Sequence, residues 1–99
     1  MDLGQRIAAL ANDKRLAVLR WLAEPRAHFP PQVHADIEEV GVCGVFIADK
    51  LGVTPATASA HMKLLVDAGF VTARRIGKWT YFKREDAALA AIGRDLTEL

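Results

Sequence analysis

One cysteine, Cys43, stands among 99 residues, so neither an internal disulfide nor a four-thiolate zinc site can form within the chain. No apolar run approaches the roughly 20 residues a membrane helix needs, which excludes a helical span. The opening MDLGQRIAALANDKR lacks the charged start and apolar stretch of a secretory leader; a cytoplasmic protein with no membrane partner is expected. There is no HExxH and no Gly-rich phosphate loop, and the three histidines, His28, His34 and His61, fall on segments of unrelated character. No enzyme is expected, and no cofactor. Low complexity and internal repeats are absent too. With 52% hydrophobic and 25% charged residues, the composition is that of a folded globular chain. The length suits one domain over 1–99 with a limited core, which a homo-oligomer sharing apolar surface would supplement.

A large excess of one charge is also missing, since the net charge is +1. Its distribution is uneven. Residues 54–84 carry six basic side chains (Lys63, Arg74, Arg75, Lys78, Lys83 and Arg84) against one acid, Asp67. The stretches on either side are net acidic. A basic block in a near-neutral chain is either a polyanion footprint or an ordinary solvated face.

The apolar spacing predicts a short helix over 3–10, from Leu3, Ile7 and Leu10. A second begins after a cap at Asn12 or Asp13, carries Leu16, Leu19 and Leu22, and stops at Pro25. Two adjacent prolines, Pro30 and Pro31, mark 26–32 as a loop. The acidic 34–40 stretch reads as loop or as one or two helical turns ended by Gly41. A third helix over 42–51 ends at Gly52, the place for a left-handed stop. Thr54 then caps a fourth, with Pro55 at a first-turn position that needs no amide donor. That helix runs to about Ala68, burying Ala58, Met62 and Leu65 and presenting Ala56, Thr57, Ser59, Ala60 and Lys63. After Gly69 the period falls to two: 70–74 and 79–83 read as strands around a turn at Arg75–Lys78. Asp86 caps a last helix over 87–99, with Leu89, Ile92, Leu96 and Leu99 on one stripe. The expected fold is mainly α (α+β), about five helices plus a two-stranded β-hairpin.

Two helices joined by a short Gly-containing turn form a helix-turn-helix, here over 42–68, with the small Ala48 where the helices cross. The second helix of such a unit enters the major groove by its N-terminal residues. Thr57 and Ser59 suit phosphates or base edges there, and the methyls of Ala56 and Ala60 let the backbone approach. The hairpin over 70–83, tipped by Arg74, Arg75 and Lys78, is then a wing reaching flanking phosphates.

The run IADKLGVTPATASAHMKLLVDAGFV, followed by RRIGKWTYF, resembles the ArsR/SmtB family of winged helix-turn-helix repressors. With ALANDKRLAVLRWL near the start, the resemblance spans nearly the whole chain; residues 26–41 stand out as an insertion. It implies a homodimer built on the helices over 3–10 and 87–99. It also implies a palindromic site on double-stranded DNA and release by an inducer. The candidate DNA-binding set is Thr54, Thr57, Ser59, His61, Lys63, Arg74, Arg75 and Lys78. For His61 a half-buried role steadying the helix against the hairpin is the competing reading.

The departures from the family are as informative. Metal-sensing relatives carry Cys-x-Cys where this chain has Cys43-Gly44-Val45, so one thiol is present and the other is not. The family's second metal site uses His on the last helix, and 85–99 has none. Neither metal site is complete. Cys43 reads as a thiol sensor, as a ligand for arsenite or copper, or as a small buried hydrophobe. His28 and His34, with Cys43 and nearby acids, have the ligand types of a nonstandard Zn²⁺ or Ni²⁺ site. An apolar inducer pocket within 26–46 is a further expectation. The rival to a DNA-binding regulator is a winged-helix module that docks another protein through 29–46 and the hairpin.

Overall fold

The computed structural model describes all 99 residues. Helix α1 (Leu3–Leu10) starts at a capping box in which Asp2 accepts from the Gln5 amide and the Gln5 side chain accepts from the Asp2 amide. Asn12 caps α2 (Asp13–Ala23), its side-chain Oδ1 accepting from the amides of Lys14 and Arg15 at 2.9 and 3.2 Å. A single helical turn, α3 (Pro25–His28), follows where a plain loop is expected from the sequence. Pro25 stops α2 and then takes the first-turn position of α3. Next come β1 (Val42–Cys43), α4 (Gly44–Leu51), α5 (Pro55–Asp67), β2 (Val71–Ile76), β3 (Trp79–Arg84) and α6 (Asp86–Thr97).

Six helices and a three-stranded antiparallel sheet therefore replace the expected five helices and two strands. The strand order is β1-β3-β2. Val42 and Cys43 do not begin α4, as the sequence suggests; they pair with Phe82 and Tyr81 on the free edge of β3. Two residues have no periodicity to read, and this strand exists only because β3 offers unpaired backbone groups. The hairpin is also tighter than expected. Arg75 and Ile76 belong to β2, opposite Thr80 and Trp79, leaving Gly77–Lys78 as a two-residue turn with Gly77 at φ +60°. The last helix ends at Thr97, and Glu85, not Asp86, occupies its N-cap position, without a side-chain bond.

The core lies between α2, α4, α5 and the inner face of the sheet. Its fully buried side chains are Phe70, Ile47, Met62, Leu65, Val18, Val42 and Val71. Alternation along the strands sends Val42 and Phe82 inward, and Cys43, Tyr81 and Trp79 to the outer face. That outer face is not bare. The 31–34 segment lies over it, and Tyr81 stays buried.

Gln32 fastens this cover. Its amide nitrogen donates to the carbonyls of Gly41 and Ala35 at 2.9 and 3.2 Å, and its oxygen accepts from the Cys43 amide at 2.7 Å. Gly41 turns the chain into β1 at φ +118°, where a β-carbon would lie 2.4 Å from the Phe82 carbonyl oxygen. Only glycine fits there.

Candidate nucleic-acid interface

Helices α4 and α5 are joined by Gly52 in the left-handed conformation, φ 70° and ψ 33°. The Val53 amide donates back to the Ala48 carbonyl at 3.1 Å, closing the end of α4. Ala48 is buried at the crossing of the two helices. Thr54 caps α5: its oxygen accepts from the Thr57 amide at 3.2 Å, and its hydroxyl lies 3.1 Å from that of Thr57. Ala58, Met62 and Leu65 anchor the helix in the core. Thr54, Pro55, Ala56, Thr57, Ser59, Ala60 and Lys63 are all exposed, so the first two turns present a low surface of methyls and hydroxyls. Because the side chains are short, a partner can approach the backbone there and meet the positive end of the helix dipole.

The wing stands beside this helix. Arg74, Arg75 and Lys78 are exposed, and none has an acidic partner. Arg75 Nε donates to the Gly77 carbonyl at 3.2 Å, and Lys78 Nζ lies 5.5 Å from the Trp79 ring centroid. Pairing places Arg74 opposite Tyr81 and Arg75 opposite Thr80, so the two arginines leave the ribbon on opposite faces. Read from the sequence, they form one basic tip; in the fold they flank it.

The rest of the basic block is occupied. Lys63 Nζ is 2.9 Å from Asp67 on the next turn of α5. Such an exposed pair is weak and easily exchanged for a phosphate. Lys83 Nζ donates to the Glu39 carbonyl at 3.4 Å. Arg84 is turned inward: Nη1 donates to the Leu19 carbonyl at 3.1 Å, and Nε lies 2.9 Å from Asp86. It ties the end of the wing to α2.

His61 faces the junction of α1 and α2 rather than the hairpin. Its Nδ1 lies 3.0 Å from Arg15 Nη1. Arg15 is buried, with Nε donating to the Ala9 carbonyl at 2.6 Å and Nη2 to the Ala8 carbonyl at 3.3 Å. No carboxylate balances this cation; the last carbonyls of α1 and the imidazole do. An arginine cannot accept a hydrogen bond, so Nδ1 must, which fixes His61 as the neutral Nε2–H tautomer. Burial of the ring holds His61 below the usual histidine pKa, and the charges of Arg15 and Lys14 act in the same direction. Sequence reading misses Arg15 entirely, because nothing local to ANDKRLAV signals a partner 46 positions away.

The metal candidates do not assemble. No three or more His, Cys, Asp or Glu side chains come together in a geometry that could hold a metal ion. His28 ends α3 beside Phe46, Asp49 and Lys50, whereas His34 and Cys43 line a separate apolar pocket. Cys43 is buried beneath the 31–34 segment. The nearby acids serve structure. Asp36 accepts from the amides of Glu39 and Glu38 at 2.8 and 2.9 Å, and those bonds, with a smaller contribution from Arg26, hold its carboxyl below the usual range.

No family model matches the chain. Over 84 residues it is 45% identical to the uncharacterized HTH-type transcriptional regulator YbzH of Bacillus subtilis, covering 85% of this chain and 84% of the relative. Among solved structures it is similar to a homodimeric winged helix-turn-helix DNA-binding domain from Mycobacterium bovis, a possible ArsR-family regulator. That match has a TM-score of 0.65 at 25% identity and covers 95% of this chain and 74% of the other. An ArsR-like transcriptional regulator from Rhodococcus sp. RHA1 superposes with a TM-score of 0.68 at 22% identity, over 97% and 76% of the two chains.

Proposed function

The chain belongs to the ArsR family of winged helix-turn-helix transcriptional regulators, and from that premise we propose that it is a homodimeric, inducer-released repressor that binds a palindromic duplex through α5 and the wing. The observation that carries this reading is the contrast within the basic block. Arg74 and Lys78 make no hydrogen bond within the chain, and Arg75 only a local one to Gly77, beside a helix whose exposed start bears only small side chains, while Lys83 and Arg84 are tied to the carbonyls of Glu39 and Leu19 on distant segments. Thr57 and Ser59 read base edges or phosphates; Lys63 trades Asp67 for a phosphate; Thr54 holds the helix start in shape. His61 positions α5 through Arg15.

The pairing surface is α1 with α6. Arg6 Nη2 donates to Asp95 at 2.9 Å, clamping the two helices together. Alongside, Ile7, Leu96 and Leu99 remain exposed, an apolar strip that a second copy would cover. Two-fold pairing then sets two α5 helices in successive major grooves, about 34 Å apart.

A gel-shift against the chain's own upstream region, titrated from about 50 to 200 mM salt, tests the proposal. Retention of a discrete dimer–duplex complex, weakening steeply with salt, is expected. Failure to retain any duplex at the low-salt end would leave the protein-docking module as the better reading.

A further inference from the structure

The 31–34 segment does not seal the outer face of the sheet. It leaves a pocket of about 250 Å³ between itself, the first turn of α4 and strand β3. Val33, Val45, Phe46, Trp79 and Pro31 supply apolar walls, and His34 is the one titratable group at the rim besides Cys43 and Tyr81. No Lys, Arg, Asp or Glu lines it. Three of the chain's exposed large hydrophobics gather here: Val33 at 91%, Val45 at 40% and Trp79 at 38%. Isolated apolar side chains on a surface need no explanation; three around one cavity do.

The polar groups of the pocket are unequally used. The Gln32 amide spends both its nitrogen and its oxygen on Ala35, Gly41 and Cys43. Tyr81 is 3% exposed overall and lines the pocket; its hydroxyl makes no hydrogen bond within the chain and keeps its contact with solvent. A hydroxyl with no bond inside the chain is free to exchange its water for the oxygen of a ligand.

We infer that this pocket is the effector site, and that it takes a small uncharged aromatic molecule of one or two rings bearing a hydroxyl or carbonyl oxygen. The volume sets the size: a dry cavity of about 150 Å³ holds benzene, and drug-sized ligands begin near about 300 Å³. The absence of charged walls sets the charge. The ligand oxygen pairs with Tyr81, and its ring lies against Trp79 and Phe46. The inference rests on the proposed repressor function, since an effector needs something to regulate. The route is short. Trp79 and Val45 also line the cleft between α5 and the hairpin, on the side that carries Ser59, Lys63 and Lys78. A ligand that moves Trp79 moves the strand next to Lys78, so ligand and duplex affinities are reciprocally coupled.

The test uses the full chain and 2-naphthol as probe, followed by ¹H–¹⁵N NMR without DNA. Saturable shifts centred on the Trp79 indole N–H and the amides of Val33 and Val45 are expected, with Kd on the order of 0.1 mM for a ligand of this size. Tyr81→Phe, which removes one oxygen and keeps the packing, weakens binding about three- to tenfold. Anionic 2-naphthoate binds at least about tenfold more weakly than 2-naphthol. Shifts that do not saturate, that centre on α1 and α6, or that survive Tyr81→Phe with equal affinity overturn the site. A second arm measures duplex retention with and without saturating 2-naphthol, where a change of at least about threefold is expected. If the free protein grips duplex and 2-naphthol leaves that grip unaltered, the effector role falls while the repressor reading stands. If the free protein retains no duplex, the repressor reading fails, and the effector role with it, whatever the NMR arm reports.

Discussion

The start of α5 with the wing tip, and the 29–43 segment with the sheet it covers, spend their polar groups in opposite ways. On the first, Ser59, Arg74 and Lys78 make no side-chain hydrogen bond to the rest of the chain. On the second, Gln32, Asp36 and the Cys43 amide are all engaged, and Gly41 permits no side chain at all. A surface meant for a partner must keep its donors idle until the partner arrives, because a bond already made inside the chain has to be broken first. A surface meant to hold a fold must use them. The difference separates the proposed recognition face from a structural cover within one small molecule, without reference to charge.

The strongest challenge to that division is Gly41→Ala. The added methyl would meet the Phe82 carbonyl at 2.4 Å in a left-handed backbone that alanine disfavours. A loss of about 3 kcal/mol or more is expected, lowering the melting temperature by more than about 10 °C in thermal unfolding. Gln32→Leu, which strands the Cys43 amide, should follow at about 1–3 kcal/mol. Unaltered melting of Gly41→Ala would show that the segment is not a fixed part of the fold.

On the recognition side the expected losses are in affinity, with stability kept. Replacing Arg74, Arg75 and Lys78 by Ala together should weaken binding to specific and unrelated duplexes alike, by about 100-fold at physiological salt. The salt dependence should become shallower by about 0.9 for each phosphate no longer neutralised. Ser59→Ala should instead alter preference among sequences, by about 1 kcal/mol at the base pair it faces. Operator binding of the triple variant at wild-type strength would remove the wing from the interface. A uniform loss in Ser59→Ala would mean that its hydroxyl meets a phosphate.

How far the sequence reveals this division depends on how local each signal is. Thr54-Pro55 after Gly52 is legible because the cap, the first-turn proline and the left-handed glycine each act within a few residues. The hairpin is legible because its alternation and its Gly77 turn are local. The cover, by contrast, reads in sequence as an insertion with an apolar pocket expected within 26–46, and its attachment to the sheet is not legible. What fixes it, Gln32 to Gly41 and Cys43, depends on side-chain bonds across a segment with no periodicity. Charge counting puts Arg84 in the same block as Arg74, although one residue reaches α2 and the other stays in the open. Composition counts cations and cannot tell which are already satisfied.

His61 belongs to neither region cleanly, and the smallest expected effect comes from it. It sits on α5, the proposed recognition helix, but its Nδ1 is given to Arg15 as an acceptor. Protonation would abolish that acceptor and set a second cation against the guanidinium. The folded pKa is therefore below that of the unfolded chain, near 6.5. Between those two values the unfolded state holds more protons, so stability rises with pH; on acidification it declines from about pH 6.5 until the folded value is passed. Asp36, whose carboxyl is held below its usual 3.8, loses its contribution only on further acidification. His61→Asn supplies a carbonyl oxygen to Arg15 without a titrating proton. Its melting temperature should fall less than that of the wild type between about pH 7.5 and 5.0, and its duplex affinity at the upper pH should stay within about threefold. Equal pH slopes would mean that Arg15 does not depend on the neutral ring. A large loss of affinity at the upper pH would return His61 to the recognition face, in contact with DNA.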